Sequence, residues 1–264
     1  MITRKSQFEL SRMRKAGEIT ALILSRVAAA VEPGITTQEL DELAEAAVKE
    51  FQVKPAFKGY QGFPASICTS VNDQVVHGIP GPRTLKPGDI VGLDFGVVYE
   101  GYYGDAAVTV GVGKVTPKHQ KLMRVTREAL WKGIAKARAG NRLSAISRAI
   151  QNYVEANGFS VVRDFVGHGI GQTMHEEPQV PNYVSPLYRY DPVLKPGMTL
   201  AIEPMVNAGA YQVKINPADQ WTVTTVDGSY SAHFEHTVLV TDGEPEILTR
   251  VPDGEGGNGG MVVW

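Results

Sequence analysis

The chain repeats itself at long range. Leu85-Lys86-Pro87-Gly88 recurs as Leu194-Lys195-Pro196-Gly197, and nine residues past each leucine stands an acid, Asp94 in the first copy and Glu203 in the second. Ahead of each copy lies His-Gly-Ile, at His77-Gly78-Ile79 and at His168-Gly169-Ile170. A duplication on this scale requires two related halves. Acids at one equivalent position in both halves place a shared site between them.

The order of elements repeats as well. Apolar residues Leu10, Met13, Ile19, Leu22, Ile23 and Val27 predict a helix over Phe8 to Val31, stopped by Pro33-Gly34. Thr36-Thr37-Gln38-Glu39 has the capping-box pattern and opens a second helix ending near Phe51. Strands follow at Ile90–Tyr99 and Tyr102–Val110, joined by Glu100-Gly101 as a hairpin turn. The second half restarts at Thr116-Pro117, with a helix to about Arg138 and another from Leu143 to Asn157. Strands are then expected at Val161, Thr199 to Val206, Trp221 to Thr225 and Ala232 to Val240. This order predicts a single α+β domain over residues 1–264, with internal halves of about 8–113 and 114–248 and a flexible Gly-rich tail at 254–264.

Composition narrows the setting. Of 264 residues, 43% are hydrophobic and 20% charged, which is ordinary for a globular domain with a substantial core. A net charge of −2 offers no field for nucleic acid or an anionic membrane. The basic start Met1-Ile2-Thr3-Arg4-Lys5 leads into no apolar run, and Ile19 to Val31 is too short and interrupted to span a bilayer. One cysteine, Cys68, excludes an internal disulfide and fits a reducing compartment. These features point to a cytoplasmic protein with no membrane or nucleic-acid partner.

The chemistry lies in the acids. Across the hairpin Tyr99 faces Tyr102 and Gly96 faces Asp105, so Asp94 and Asp105 are diagonal neighbours on one face, roughly 7–8 Å apart at the backbone. Gly92, Gly96 and Ala107 leave the floor around them open, and Glu203 and Glu235 play the same parts in the second half. Two charges near 4 Å repel by about 1 kcal/mol in water and about 4 at an effective dielectric of 20. Four acids on an apolar sheet therefore call for protons or cations, and two divalent ions balance four carboxylates. His168, between Gly167 and Gly169, adds one imidazole. An oxygen-rich set with a single nitrogen suits Mn²⁺, Fe²⁺, Co²⁺ or Zn²⁺ rather than a thiolate zinc site. No base partner is evident for Cys68, so it is not read as a nucleophile.

Longer strings carry a family resemblance. Gly167-His168-Gly169-Ile170-Gly171, Met174-His175-Glu176-Glu177-Pro178-Gln179-Val180, Leu194 to Thr199, Ile202-Glu203-Pro204-Met205-Val206-Asn207-Ala208-Gly209 and Phe234-Glu235-His236-Thr237 resemble type I methionine aminopeptidases, over about Phe8 to Leu248. The resemblance implies the pita-bread fold, a curved antiparallel sheet backed by helices with two pseudo-twofold halves. It implies a metal-dependent hydrolase that removes the initiator methionine from nascent chains when the second residue is small. By resemblance Asp94, Asp105, His168, Glu203 and Glu235 are the ligands of two divalent ions, with Asp105 and Glu235 bridging. A hydroxide bridging the ions would attack the scissile carbonyl, with Glu203 as general base and His175 as donor to the oxyanion. His77 and His175 would contact the substrate. Tyr60, Phe63, Cys68, Phe165 and Trp221 would line the methionine pocket, whose shape Phe57, Phe63 and Met174 adjust. Partners implied are nascent polypeptide N-termini, at the ribosome, with the enzyme acting as a monomer.

Two other readings are open to the same residues. A prolidase or X-Pro aminopeptidase would share the fold but generally carries an added N-terminal domain, for which this length leaves no room. A non-catalytic peptide binder on the same scaffold would have lost ligand positions, whereas all five are filled here. A di-iron helix bundle would need paired Glu-x-x-His motifs, which the sequence lacks.

Overall fold

The hairpin turned by Glu100-Gly101 is the centre of the architecture, and its register is the one the alternation predicts. Tyr99 pairs with Tyr102, Gly96 with Asp105 and Asp94 with Ala107. Both turn residues take positive φ, 46° at Glu100 and 83° at Gly101, which matches the twist of the flanking strands. The structure is a computed structural model that describes residues 2–185 and 190–252; the expected tail at 254–264 lies outside the described residues.

The first half comprises helices α1 (Gln7–Ala29) and α2 (Thr37–Glu50) and strands β1 (Lys54–Pro55), β2 (Ile67–Val71), β3 (Gln74–Val76), β4 (Ile90–Tyr99) and β5 (Tyr102–Gly111). The second comprises helices α3 (Pro117–Ile134) and α4 (Ser144–Ala156), then β6 (Ser160–Val161), β7 (Gly167–Gly169), β8 (Glu176–Val180), β9 (Thr199–Ile202), β10 (Met205–Asn207), β11 (Val213–Ile215), β12 (Val223–Thr225), β13 (Ser231–His233), β14 (Glu235–Leu239) and β15 (Glu246–Ile247). Capping boxes Ser6/Glu9 and Thr36/Glu39 start α1 and α2. Helix α3 ends four residues before the expected Arg138: Lys136 N–H bonds Gly133 O and Ala137 N–H bonds Ile134 O, so the last turn tightens to i→i+3 spacing and leaves the helix.

A nine-stranded antiparallel sheet runs β1-β4-β5-β14-β9-β7-β8, with β2 added on β4 and β15 on β14. Its middle joint, β5 to β14, links the halves: Ala107 pairs with Glu235 and Ala106 with His236. Two expected strands are each broken in two. Thr199 to Val206 divides at Glu203-Pro204, and Ala232 to Val240 divides at Phe234. The downstream piece of the first, β10, and the upstream piece of the second, β13, pair with each other in a small sheet, β13-β10-β6. A third sheet, β11-β12-β3, leads into His77 and Trp221.

One apolar core unites the halves. It joins Ile19, Ile23 and Leu24 of α1, Leu93 and Phe95 of β4, Leu122 and Leu130 of α3, and Ile146 and Ile150 of α4. Helix α1 lies directly on β5. A Cβ added at Gly104 would stand 2.8 Å from the Ala16 carbonyl carbon, so only glycine permits this approach. Among the described residues no helix is long and apolar enough to cross a membrane.

Candidate metal centre and substrate pocket

Five adjacent strands each bring one polar side chain to the same place. In sheet order these are Asp94 on β4, Asp105 on β5, Glu235 on β14, Glu203 just past the end of β9, and His168 on β7. The duplicated turns and the hairpin register thus converge as the sequence implies. Donor atoms of Asp105, His168 and Glu235 lie within 4.8 Å of one another. His168 Nε2 stands 3.5 Å from Glu203 Oε1 and 4.0 Å from Asp105 Oδ2. The glycines beside His168 have a steric cause. A Cβ at Gly167 would fall 2.3 Å from Ala201 O, and one at Gly169 would fall 2.3 Å from Glu177 O, so β7 fits between β9 and β8 only without side chains there.

The electrostatics are severe. Burial, then the neighbouring charges, pushes the Asp94, Glu203 and Glu235 carboxyls well above the usual range, and burial pushes Asp105 up to about 7. Burial, then His175, lowers His168 to about 3. Asp94 Oδ1, Asp105 Oδ1 and Glu235 Oε1 are buried without a hydrogen-bond partner. Buried acceptors are normally satisfied. Acids crowded around a neutral imidazole, three of them with a buried oxygen that has no hydrogen-bond partner, are a donor set that could hold a divalent cation.

The same residues form one wall of a 360 Å³ cavity. Its other lining includes Phe57, Tyr60, Phe63, Cys68, His77, Met174, His175 and Trp221. Phe63 meets Trp221 edge-on at 5.2 Å. The Cys68 thiol is buried, and burial with nearby Asp94 keeps it protonated, consistent with a wall rather than a nucleophile. His77 adopts φ 58°, an unusual conformation for a side-chain-bearing residue, and burial lowers it to about 4. Phe165 does not line the cavity. Its ring meets His77 edge-on at 5.6 Å, so it backs that histidine.

His175 is held from two sides. Tyr60 Oη and His175 Nδ1 are 2.8 Å apart, which ties the first half to the second across the pocket. The turn carrying His175 is anchored by Glu176, whose Oε1 accepts from Gln172 N–H and whose Oε2 accepts from Lys5 Nζ and Thr3 Oγ1. Sequence reasoning read neither this inward-turned Glu176 nor Gln61, which also lines the cavity. It also passed over His233, whose ring lies 3.7 Å from Glu203. The nearest signal for His233 was its place beside the Phe234-Glu235 string.

Known proteins match this arrangement closely. The sequence pattern of metallopeptidase family M24 covers residues 11–242. Methionine aminopeptidase 1 of Bacillus subtilis (strain 168) is 54% identical over 251 residues, 95% of this chain and 100% of that protein. Methionine aminopeptidase of Clostridium perfringens is likewise 54% identical over 251 residues, with the same coverage. The crystal structure of methionine aminopeptidase from Thermotoga maritima superposes with a TM-score of 0.91 at 49% identity, covering 94% of this chain and 99% of that one. An Xaa-Pro dipeptidase from Bacillus anthracis shares the fold at a TM-score of 0.74 and 23% identity, but this chain covers 62% of it. With identity above half along nearly the whole length, and a cage of acids on a pita-bread sheet of two pseudo-twofold halves, the chain belongs to metallopeptidase family M24, on its methionine aminopeptidase branch.

Proposed function

We infer that this enzyme removes N-terminal methionine from nascent chains with the five converging side chains as its metal ligands and the adjoining cavity as its methionine pocket. The observation that carries the reading is the shared wall: the acid cage and the aromatic, thioether-compatible lining belong to one cavity. Its volume lies in the usual range of small-ligand sites, about 300–1,000 Å³.

Asp94, Asp105, His168, Glu203 and Glu235 would hold two divalent ions among Co²⁺, Mn²⁺, Fe²⁺ and Zn²⁺. Bound there, such ions would acidify a water and polarise the scissile carbonyl. Glu203, at the cavity edge of the cage, takes up the proton of the attacking water and passes it to the leaving amine. Tyr60 occupies His175 Nδ1, which leaves Nε2 to donate to the oxygen that gains charge on the scissile carbonyl. His77, from the other half, contacts the substrate backbone. Phe63, Cys68, Met174, Tyr60 and Trp221 enclose the unbranched side chain and exclude water, and their ring edges favour sulfur. Phe165 contributes by bracing His77.

The two halves form a single catalytic unit, since the cage takes residues from both sides of the β5–β14 joint. A cytoplasmic monomer meeting its substrates at the ribosome is the setting this activity implies. The test pairs elemental analysis of the purified protein with hydrolysis of Met-Ala-Ser and of an Ala-Pro peptide. Bound divalent metal and cleavage of the methionyl peptide alone are expected. Preference for the Ala-Pro peptide would favour the X-Pro hydrolase instead.

A further inference from the structure

His233 ends β13, one residue before the break at Phe234. Its backbone is clamped: His233 N–H donates to Thr109 Oγ1 and that hydroxyl donates to His233 O, both at 2.8 Å. Its strand partner is Met205, two residues past Glu203. The Glu203 backbone is fixed too, its carbonyl accepting from Asn182 Nδ2 at 3.0 Å. These anchors set the two side chains against each other. The His233 ring is 3% exposed, and its Nε2 is buried without a hydrogen-bond partner. The acid it faces is Glu203, whose Oε2 lies 3.7 Å away. The other oxygen, Oε1, faces His168 Nε2 at 3.5 Å. The Glu203 carboxylate therefore sits between two imidazoles, of which one is in the ligand set and the other is not.

We propose that His233 is a positioning residue for Glu203: its Nε2–H donates to Glu203 Oε2 and so turns Oε1 alone toward the metal centre. A buried ring nitrogen without a partner, facing a carboxylate oxygen, would be satisfied by this one bond. Hydrogen bonds of this kind settle near 2.7–2.9 Å, so the facing atoms stand about 1 Å beyond that contact. A carboxylate pinned at one oxygen presents a fixed ligand geometry with the other, and such outer partners typically matter 10–100-fold in metal affinity or activity. The proposal rests on Glu203 being a ligand and proton acceptor.

The test titrates metal-free protein with Mn²⁺ by calorimetry and assays Met-Ala-Ser hydrolysis, for wild type, His233→Gln and His233→Leu. Leucine should weaken one Mn²⁺ site by about 10–100-fold and lower kcat with KM little changed, and glutamine, which keeps a donor, should restore both to within about threefold. Wild-type-like Mn²⁺ binding by His233→Leu overturns the positioning role. Equal loss in both variants also overturns it, because packing would then be the cause. A wild type that binds Mn²⁺ but cleaves no peptide leaves the positioning role standing and sinks the functional reading. Should His233→Leu fail to fold, the ¹⁵N shifts of His233 in metal-free wild type decide. A protonated Nε2 whose shift moves in Glu203→Gln supports the contact, and an unprotonated Nε2 refutes it.

Discussion

Replacing Asp105 with Asn separates what the acid cage does for chemistry from what it does to folding. Asp105 is buried at 5% exposure, and burial raises its carboxyl from an ordinary 3.8 to about 7. Between those values the folded, metal-free protein holds a proton that the unfolded chain releases, so stability falls as pH rises through that window. Above pH 7 the ionised Asp105 carries the whole penalty, about 3 units at 1.36 kcal/mol each, or about 4 kcal/mol. Asparagine fills the same volume without charge and also relieves Asp94, Glu203 and Glu235. Discounting for an amide poorly matched to its neighbours, metal-free Asp105→Asn should exceed metal-free wild type by about 2–4 kcal/mol at pH 8 and match it near pH 4. The assay is urea unfolding followed by circular dichroism after exhaustive chelation. With Mn²⁺ added the order should reverse, because the variant lacks one of the five proposed ligands. A variant no more stable than wild type at pH 8 without metal would refute the claim that burying the ionised Asp105 destabilises the folded protein.

Metal binding should release protons, since the raised carboxyls of Asp94, Asp105, Glu203 and Glu235 must ionise to act as ligands. Apparent Mn²⁺ affinity should therefore climb from about pH 5 to about pH 8, and calorimetry in buffers of different ionisation enthalpy reads the protons directly. His175→Ala removes the proposed oxyanion donor and should lower turnover on Met-Ala-Ser by about 10²–10³; unchanged turnover would take it out of the mechanism. Lys5→Met leaves Glu176 without its buried partner, the two side chains being 4% and 15% exposed, and should cost about 3–5 kcal/mol in thermal or urea unfolding. A loss below about 1 kcal/mol would mean that solvent already compensates Glu176.

How much of this was readable in the sequence depends on range. The hairpin at Glu100-Gly101 obeys a period-two rule over adjacent residues, so its register and the Asp94–Asp105 diagonal came out as expected. The duplicated turns located Glu203, and the flanking glycines marked His168. Glu235 was read as the second-half counterpart from its expected strand, and the family resemblance carried the pocket residues and the histidines His77 and His175, which no local rule could assemble. Misreadings arise where tertiary structure overrides a continuous apolar run. Thr199 to Val206 reads as one strand, yet Glu203-Pro204 sends its second part into another sheet. That departure frees Glu203 from ladder bonding and leaves it at the cage. The resemblance implies Phe165 as a pocket wall, but its ring packs edge-on against His77, which lines the cavity in its place. Lys5 and Glu176 lie 171 residues apart, beyond any spacing argument.

The strand joint at Ala107–Glu235 has a further consequence. Residues up to Asp105 are synthesised long before Glu235, so the acids of the first half stand without their counterparts until β14 pairs with β5. The cavity wall that these side chains share is complete only when the last-made strands zip onto the first-made ones.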